Sequence, residues 1–424
     1  MMKKISLSNL VKNSGSIDEY DPNSMDFHSA KKWIAQFIEP IRKKEVIHID
    51  NALGRILFAD IKSESNVPNY DNSSMDGYAI NFSQKEIYNF NVIGSDFAGS
   101  LKDFEIKNGE ALEIMTGGKI PKGTSAVVPI ELVNIFKNTI QIETLPKYNA
   151  NIRKIGTDIH KEQIILNAGK CLRPAEIGLL ASLGVSNVSV FKKLKIAYFS
   201  TGDEIIEVGK PLKLGQVYDS NYYSIGALLK SLHIEKIDFR NVPDKKEKIK
   251  QNLIKAAQIA DLIITSGGVS VGKADFVKEV LSEIGEILFW KLAIKPGRPL
   301  AYGKINHTHF FGLPGNPVSA IVTFYQIVLP AIKSLMGNTN YHPPPTFKVK
   351  SNGEILKKPG RMEFQRGMLI QEKNDWIVNP ILNQGSGNLS SMTESNCFIV
   401  LNSEQGTIDK GEMVDVQYMG GIVD

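Results

Sequence analysis

The sequence predicts a multidomain protein in which a central α/β domain is combined with β-rich domains. Three observations predict this architecture. The chain has 424 residues, more than one ordinary hydrophobic core accommodates. From Leu194 onward, strand-like and helix-like segments alternate, which is typical of a sheet with right-handed crossovers. Residues 46–150 and 341–424 instead contain short β-rich runs separated by turn-forming residues, and these predict separate β domains.

The N-terminal half predicts a helical element that is interrupted by a β domain. The segment from Ser29 to Ile41 has apolar residues at helical spacing and ends near Pro40. Helical spacing returns in AEIGLLASLG. The predicted domains are a polar, disordered extension (1–28), a helical and extended linking domain (29–60 and 150–190), an inserted β-rich domain (61–149), the α/β domain (191–340) and a C-terminal, β-barrel-like domain (341–424). The prolines 343–345 mark the linker between the last two.

The α/β region contains the clearest alternation of elements. The predicted strands are KIAYFS, KIDFRNV, DLIITS, ILFWKLAI, PLAYGKI and HFFGL. The segments YYSIGALLKSLH and KKEKIKQNLIKAAQIA are predicted helices, and PVSAIVTFYQIVLPAIKSLMG is predicted to form one long helix.

Composition excludes several classes of protein. Hydrophobic residues make up 42% and charged residues 22%, as in soluble globular proteins. No uninterrupted apolar run reaches the length of a membrane span, and the N-terminus lacks the apolar core of a secretory signal. The two cysteines are far apart, which fits a reducing cytoplasm. The net charge of +5 and the basic run 245–250, which lacks aromatics, favour an anionic substrate over nucleic acid.

The segment Asp261–Asp275 reads DLIITSGGVSVGKAD and is the most informative stretch of the chain. It predicts a buried strand, a glycine turn and the start of a helix, an arrangement that suits an anion such as phosphate. An ordinary βα turn with Asp275 as a helix N-cap is the alternative.

Acidic residues follow neighbouring strands of the same region. Asp203 and Glu204 come after the first strand, and Asp244 comes after the second. Because the carboxyl ends of parallel strands meet in one crevice, these acids and Asp275 would suit a divalent cation that bridges a phosphate. Each acid taken alone is equally explained as a cap or a solvated group.

Other motifs carry weaker signals. Lys291 and Lys295 would share one strand face and favour anion binding, although a solvated face is the alternative. In LPGNPVS, Asn316 suits a helix N-cap and Pro317 the first helical position, which is a sufficient structural explanation. The MDGYA and MTGG segments are turn signals by themselves, and the histidines show no ligand spacing.

Together the motifs resemble the molybdopterin molybdotransferase family, which includes MoeA and the gephyrin E domain. The resemblance extends in family order from about Ser29 to the C-terminus. It is carried by VPNYDNSSMDGYAI, IMTGGKIPKGTSAVVPIE, NIRKIGTDI, STGDEI, GQVYDSN, DLIITSGGVSVGKADF, WKLAIKPGRPLAYGKI, FFGLPGNPVSAIVTFY, GRMEFQRG and SSMTESNCFIVL.

The resemblance implies a cytoplasmic, elongated homodimer whose central domain is a three-layer αβα molybdopterin-binding domain. It implies the insertion of molybdate into adenylylated molybdopterin, with Mg²⁺-dependent release of AMP and molybdenum cofactor. A molybdopterin adenylyltransferase and apo-molybdoenzymes are the implied partners, with no nucleic acid and no membrane.

The resemblance also assigns roles to individual residues. The residues with implied catalytic roles are Asp76, Thr116, Glu204, Asp244, Asp275, Lys291 and Lys295. The residues implied to bind molybdopterin or adenylate are Asp158, Ser266, Gly267, Gly268, Ser270, Gly272, Pro314 and Gly315. The residues implied to bind molybdate are Lys295, Ser319, Arg366 and Ser386. The implied metal ligands are Glu204, Asp244 and Asp275. Asp76 and Thr116 would reach the site across the dimer.

Three alternatives stay open at the level of sequence. A molybdopterin adenylyltransferase is usually a single α/β domain, so the additional domains count against it. A scaffold without catalysis is opposed by the retained acids and lysines. A tungstate-specific enzyme is not distinguished by any residue. The chain also departs from the family pattern at Glu162, where glycine is usual, and at Arg298, where lysine is frequent.

Overall fold

The computed structural model describes residues 24–82, 87–96, 103–268, 276–289 and 291–419. Most of the predicted extension and the site residues Ser270, Gly272 and Asp275 lie outside these ranges. The chain forms two compact units. The first contains the residues up to Phe58, Gly169–Arg173 and the chain from Asn187 onward, and the second contains Ala59–Ala168 and Pro174–Ser186. The predicted domain bounds remain a prediction.

The first unit begins with helix α1 (Phe27–Phe37) and strand β1 (Lys44–His48). The Asp26 carboxylate caps α1 by accepting a hydrogen bond from the Ser29 amide at 2.9 Å. The helix ends at Phe37, and Ile38 is already extended, two residues before Pro40. The predicted helix is therefore present, with its end shifted toward the N-terminus.

The second unit is built around a six-stranded sheet, as expected for a β-rich region. Its strand order is β7-β4-β6-β5-β9-β8. The strands and helices of this unit are β2 (Ile61–Lys62), β3 (Asn72–Ser73), β4 (Gly77–Ile80), β5 (Asn89–Asp96), β6 (Glu110–Ile114), β7 (Ala126–Pro129), a 3₁₀ turn (Ile130–Leu132), β8 (Val133–Phe136), β9 (Thr139–Ile142), β10 (Ile152–Arg153), β11 (Ile164–Leu166) and α2 (Pro174–Ser182).

The chain then returns to the first unit, where β12 pairs with β1 and a six-stranded sheet follows. The sheet order is β16-β13-β17-β21-β20-β18, in which β16, β13, β17 and β21 are parallel neighbours. The elements are β12 (Asn187–Phe191), β13 (Lys195–Thr201), β14 (Ile205–Ile206), β15 (Val217–Tyr218), α3 (Ser220–Lys230), β16 (Glu235–Val242), α4 (Lys246–Ile259), β17 (Leu262–Ser266), α5 (Phe276–Ile284), β18 (Glu286–Phe289), β19 (Ile294–Lys295), β20 (Ala301–Ile305) and β21 (Thr308–Leu313).

Helices cover both faces of this sheet, so the predicted three-layer αβα arrangement is present. Strand β13 shows the alternation: Ile196 and Tyr198 pack into a core with α1 and α3, and Ala197 and Phe199 pack into a core with α4 and α5. A parallel sheet buried on both faces needs such apolar runs.

The order of the strands places a topological switch point beside β13. The chain passes from β13 through α3 to β16 on one side, and then through α4 to β17 on the other side. Connections that diverge in this way open a crevice at the carboxyl ends of β13 and β17.

The prediction that ILFWKLAI forms one strand is wrong. Strand β18 ends at Phe289, and β19 pairs in parallel with a strand of the C-terminal domain. The reason is long-range pairing: the Met25 amide donates to the Lys291 carbonyl, and Met25 forms a bridge with Leu292. Lys291 therefore lies outside the strand that contains Lys295.

The predicted long helix is present but is not uniform. It consists of α6 (Pro317–Thr323), a π-helical segment (Phe324–Val328) and α7 (Leu329–Leu335). Pro330 lacks an amide hydrogen and disturbs the regular ladder at this point. By length and composition the stretch from Pro317 to Leu335 could cross a membrane, contrary to the expectation from uninterrupted apolar runs, but 78% of its apolar window is buried inside the protein. It is a core helix.

The C-terminal domain is a closed barrel, in agreement with the predicted β domain. Its strands and helix are β22 (Thr346–Ser351), β23 (Met362–Glu372), β24 (Asp375–Pro380), α8 (Ser390–Thr393), β25 (Cys397–Leu401) and β26 (Met413–Tyr418). The barrel closes because β23 pairs with both β24 and β25. It shares a core with the α/β domain, since Phe364 and Phe398 belong to the cluster that contains α1, α6 and α7.

Burial of His309 makes stability depend on pH. Its side chain lies on β21 and hydrogen-bonds the Tyr302 hydroxyl at 3.0 Å, and burial lowers its pKa to about 4. The folded state disfavours the imidazolium ion, so stability is full above the unfolded pKa and is lost as the pH falls. Between pH 7 and pH 5, burial of His309 should cost the wild type roughly 2 kcal/mol of unfolding free energy. We expect His309→Gln to be free of this loss.

Denaturant titrations at both pH values measure this effect. The matched control is His342→Gln, which replaces an exposed histidine of the same chain. An equal loss of stability in wild type and His309→Gln would contradict the assignment.

Candidate active site

A crevice of about 710 Å³ lies at the switch point of the α/β sheet. It is formed by the segments that follow β13, β17 and β21 and by the start of α3. Of the residues predicted for the site, this crevice brings together Glu204, Asp244, Ser266, Gly267, Gly268, Pro314, Gly315 and Ser319. These predicted residues therefore line one cavity, while their roles remain a prediction.

The turn after β17 requires glycine at two successive positions. Gly267 has a φ of +84°, and a Cβ there would lie 2.4 Å from the Thr201 carbonyl oxygen. Gly268 has a φ of +64°, and its Cβ would lie 2.6 Å from Val277. Any side chain would push the turn out of the crevice, so these glycines let the backbone reach a ligand.

Carboxylates cluster at one end of the crevice. The Asp244 amide donates to the Asp203 carboxylate at 3.2 Å. Burial, followed by the charges of Asp203 and Glu204, raises the pKa of Asp244. One buried carboxylate oxygen of Asp244 has no hydrogen-bond partner among the described residues. Hard oxygen donors of this kind suit Mg²⁺, although the described ranges contain no group of three acidic, His or Cys side chains arranged to hold a metal.

Asn221 ties three segments of the crevice together. Its amide nitrogen donates to the Ser266 hydroxyl and to the Gly315 carbonyl, each at 2.7 Å. The carbonyl only accepts, so the amide orientation is determined by this contact. Asn221 was not assigned from sequence; its position in the GQVYDSN motif was the available signal.

The barrel contributes a loop to the crevice, in which Gly387 lines the cavity and Ser386 precedes it. The Ser386 carbonyl accepts a hydrogen bond from the Val318 amide at 3.1 Å, and its hydroxyl accepts one from the Asn316 side chain at 3.0 Å. The predicted N-cap position of Asn316 is right, but its side chain makes no cap hydrogen bond. The loop backbone caps the helix in its place.

Arg366 is buried and organises this loop. Its guanidinium donates to the Ser391 hydroxyl at 3.1 Å and to the carbonyls of Asn383 and Gly385 at 3.3 Å. Burial lowers the pKa of Arg366 to about 10. Arg366 does not line the crevice; its contacts are with the loop that carries Ser386.

Lys295 lies next to a buried carboxylate that the sequence did not reveal. Its ammonium group is 3.4 Å from Glu363, whose side chain is only 3% exposed, whereas that of Lys295 is 49% exposed. The Gln365 amide also donates to Glu363, at 3.0 Å. Lys291 and Lys295 do not line the crevice itself.

The remaining predicted residues belong to the second unit. The Asp76 carboxylate accepts hydrogen bonds from the Thr116 amide at 2.7 Å and from the Thr116 hydroxyl at 2.8 Å. These bonds lower the pKa of Asp76. Asp158 is exposed, and its amide donates to the Val67 carbonyl in a turn.

Comparison with known proteins decides the family. Three family models match successive parts of the chain: the MoeA N-terminal region (domains I and II) at 25–184, a probable molybdopterin-binding domain at 197–334, and the MoeA C-terminal region (domain IV) at 348–419. A protein of Haemophilus influenzae named molybdopterin molybdenumtransferase is 46% identical over 88% of this chain and 93% of its own length.

The chain belongs to the molybdopterin molybdenumtransferase family. A crystal structure of the MoeA protein of Pyrococcus horikoshii OT3 has a TM-score of 0.81 and 29% identity, covering 93% of this chain and all of that one. Gephyrin of Dictyostelium discoideum is 33% identical over 89% of this chain and 60% of its own length. The resemblance and the multidomain fold class are thereby confirmed.

The two hydrogen bonds from the Asn221 side chain, which we call the Asn221 clamp, should stabilise the folded protein. We expect Asn221→Ala to lower the unfolding free energy by about 1–2 kcal/mol, because one buried and one partly buried hydrogen bond are lost. Asn221→Asp should be worse at pH 7, since its carboxylate would face the Gly315 carbonyl, and should recover as the pH falls and the acid is protonated.

Thermal and urea denaturation measure both variants. Asn252→Ala is the matched control, because that side chain donates to a backbone carbonyl in an exposed hydrogen bond on α4. Equal stability of Asn221→Ala and Asn252→Ala would show that the clamp contributes nothing.

Because the Asp244 carboxylate is partly buried beside other carboxylates, replacing it with a neutral residue should stabilise the protein. Its raised pKa means that the folded state disfavours the ionised form, so the penalty is present above the unfolded pKa and disappears in acid. We expect Asp244→Asn to raise the unfolding free energy at pH 7, without added metal, by less than about 1 kcal/mol because solvent screens a partly exposed group.

The gain should vanish near pH 3 in the same denaturation series. Glu404→Gln replaces an exposed acid and is expected to change nothing. A loss of stability in Asp244→Asn at pH 7 would mean that the carboxylate is held by favourable contacts.

Proposed function

We propose that this protein inserts molybdenum into molybdopterin. In the proposed reaction it takes adenylylated molybdopterin and molybdate, and releases AMP and the molybdenum cofactor in a Mg²⁺-dependent step. The proposal is supported by the name of the 46% identical relative and by the family models that cover the chain. The observation that carries it is the crevice in which the glycine turn, the Asp244 cluster and the barrel loop meet.

The chemistry of this crevice suits cleavage of a phosphoanhydride. Such reactions need positioning and neutralisation of charge more than a covalent nucleophile. Gly267 and Gly268 give the phosphate access to the backbone, and Ser266 and Ser319 offer hydroxyl groups beside it. Asp244 and Glu204, with Asp275, are the residues proposed to hold Mg²⁺, which would neutralise phosphate charge when bound.

Molybdate is a tetrahedral dianion, so cationic and hydroxyl groups are suitable partners. Lys295 is half exposed and is not fully neutralised by the Glu363 contact at 3.4 Å. We assign it to the oxyanion, together with Lys291 and Ser386. Arg366 supports this subsite by fixing the loop that carries Ser386.

We also propose the quaternary arrangement that the family resemblance implies. In a homodimer, the Asp76–Thr116 pair of one subunit would serve the site of the other, and Asp158 would assist in binding the substrate. A cytoplasmic location, and a molybdopterin adenylyltransferase and apo-molybdoenzymes as partners, belong to the same proposal. A monomeric mass by light scattering would remove the role across the dimer.

The decisive experiment measures AMP release from adenylylated molybdopterin. We expect release to require Mg²⁺ and to be stimulated by molybdate in the wild type. Lys295→Gln should raise the half-saturating molybdate concentration about tenfold or more, because one charge on the oxyanion is lost. Asp244→Asn should lose most of the dependence on Mg²⁺.

Lys410→Gln, an exposed lysine of the barrel, is the matched control and should behave as the wild type. Tight binding of the substrate without AMP release in the wild type would favour a scaffold. Formation of adenylylated molybdopterin from ATP and molybdopterin would instead identify an adenylyltransferase. Equal stimulation by tungstate would exclude a preference for molybdate.

A further inference from the structure

A second hollow of about 350 Å³ opens beside the crevice in the α/β domain. The two cavities share Ile205 and Asp219 as walls, so they are adjacent. We call the second cavity the side pocket. It is further lined by Tyr222, Tyr223, Arg240 and Glu207. None of the residues assigned from the family resemblance lies in it.

A backbone irregularity directs charged residues to this pocket. In the pairing of β13 with β16, Tyr198 is opposite Asp238 but Phe199 is opposite Arg240, so Phe239 is an additional residue. Arg240 has a φ of +51°, a left-handed conformation that is unfavourable for arginine, and its amide donates to Asp238 at 2.8 Å. Bulges of this kind are used beside binding sites to change the direction of a side chain.

The contacts on either side of the bulge show its effect. Phe239 packs into the core, with its ring 6.1 Å from that of Phe199. Asp238 accepts a hydrogen bond from the Tyr222 hydroxyl, and Arg240 lies 3.3 Å from Glu207. The apolar residue therefore enters the core, and the two charged residues reach the aromatic and acidic groups around the side pocket.

The aromatic part of the pocket is partly fixed and partly accessible. The Tyr222 and Tyr223 rings meet edge to face at 5.3 Å. Tyr222 is further held by the Lys236 ammonium, 4.3 Å from its ring centroid. Tyr223 is 52% exposed. A rigid tyrosine beside an accessible one, with a guanidinium at the rim, forms a surface on which a planar ring can stack.

The polar groups suit the edge of a nitrogen heterocycle. Glu207 contacts Lys210 at 3.0 Å and Arg240 at 3.3 Å, and Asp219 accepts a hydrogen bond from the Tyr222 amide. The remaining lone pairs of these two carboxylates are suitable acceptors for an exocyclic amino group. The volume lies within the range of small-molecule sites and exceeds that of a bicyclic ring. Because the side pocket adjoins the crevice, a ligand with its phosphate at the glycine turn would have its ring within reach of the side pocket.

We propose that the side pocket binds a planar, amino-substituted nitrogen heterocycle of the substrate whose phosphate lies in the crevice. The proposal rests on the proposed function, in which the substrate carries two such rings, adenine and pterin. Tyr223 supplies the stacking surface, Arg240 covers the ring or its edge, and the carboxylates select the amino group.

Calorimetric titration of the full-length protein tests the pocket with AMP, 6-carboxypterin and inorganic pyrophosphate as probes. Tyr223→Ala should weaken the binding of the heterocycle about tenfold, because stacking on an aromatic side chain is lost. Tyr223→Phe should bind nearly as the wild type. Arg240→Lys should lose part of the affinity, since the charge remains but the planar group does not.

Two controls separate the pocket from the rest of the site. Pyrophosphate has no ring, so its affinity should not change in Tyr223→Ala. Tyr148→Ala removes another exposed tyrosine, in the second unit, and should change nothing.

Weaker AMP binding alone assigns the pocket to adenine, weaker pterin binding alone assigns it to pterin, and loss of both supports a shared pocket. Unchanged affinity for both rings in Tyr223→Ala, or no binding of either ring to the wild type, overturns the proposal. The assay of AMP release distinguishes failure of the pocket from failure of the proposed function. If the wild type shows molybdate-stimulated AMP release but Tyr223→Ala binds both rings as the wild type does, only the pocket is rejected.

Discussion

The close approach of backbone segments at the carboxyl ends of β13, β17 and β21 is the constraint on which the rest of the site depends. Gly267 lies against the carbonyl of Thr201, and its amide donates to the Leu313 carbonyl at 3.2 Å. The Asn221 amide then joins the turn after β17 to the turn after β21. Because three strand ends converge with so little space between them, small shifts in one turn are transmitted to the others.

The second requirement is the docking of the barrel onto the α/β domain. The Ser386 carbonyl accepts a hydrogen bond from the Val318 amide, which would otherwise be an unpaired donor at the start of α6. Arg366 fixes the same loop from inside the barrel. A buried guanidinium is costly unless it is hydrogen-bonded, and Arg366 donates to Ser391 and to two carbonyls of a segment that borders the crevice. The first turn of α6 is thus shaped by a segment about 70 residues later in the chain.

Much of the α/β domain was predictable because its signals are local. The strand from Leu262 to Ser266 and the glycine turn after it are encoded by neighbouring residues, and the same holds for the helix that begins at Pro317. The errors concern pairing over long distances. Lys291 and Lys295 were assigned to one strand face, but Met25 pairs with the chain between them.

Other parts of the site were missed for the same physical reason. The contact of Lys295 with Glu363 joins residues 68 positions apart. The amide of Asn221 finds its partners 45 and 94 residues away. Periodicity reports which face of an element is buried, but it carries no information on which distant polar group completes a hydrogen bond. The family resemblance supplied the site residues, and only the fold shows that the Arg366 guanidinium donates to carbonyls of the loop that carries Ser386.

The shared core of the α/β domain and the barrel limits how this chain can be divided. Phe364 contacts Phe27 with ring centroids 5.3 Å apart, and Phe398 contacts Tyr325 at 5.9 Å. A fragment that stops before the barrel would leave this aromatic surface in water, where it would favour self-association. An isolated α/β module from this protein therefore needs polar replacements on α1 and on the π-helical segment before it can serve as a soluble building block.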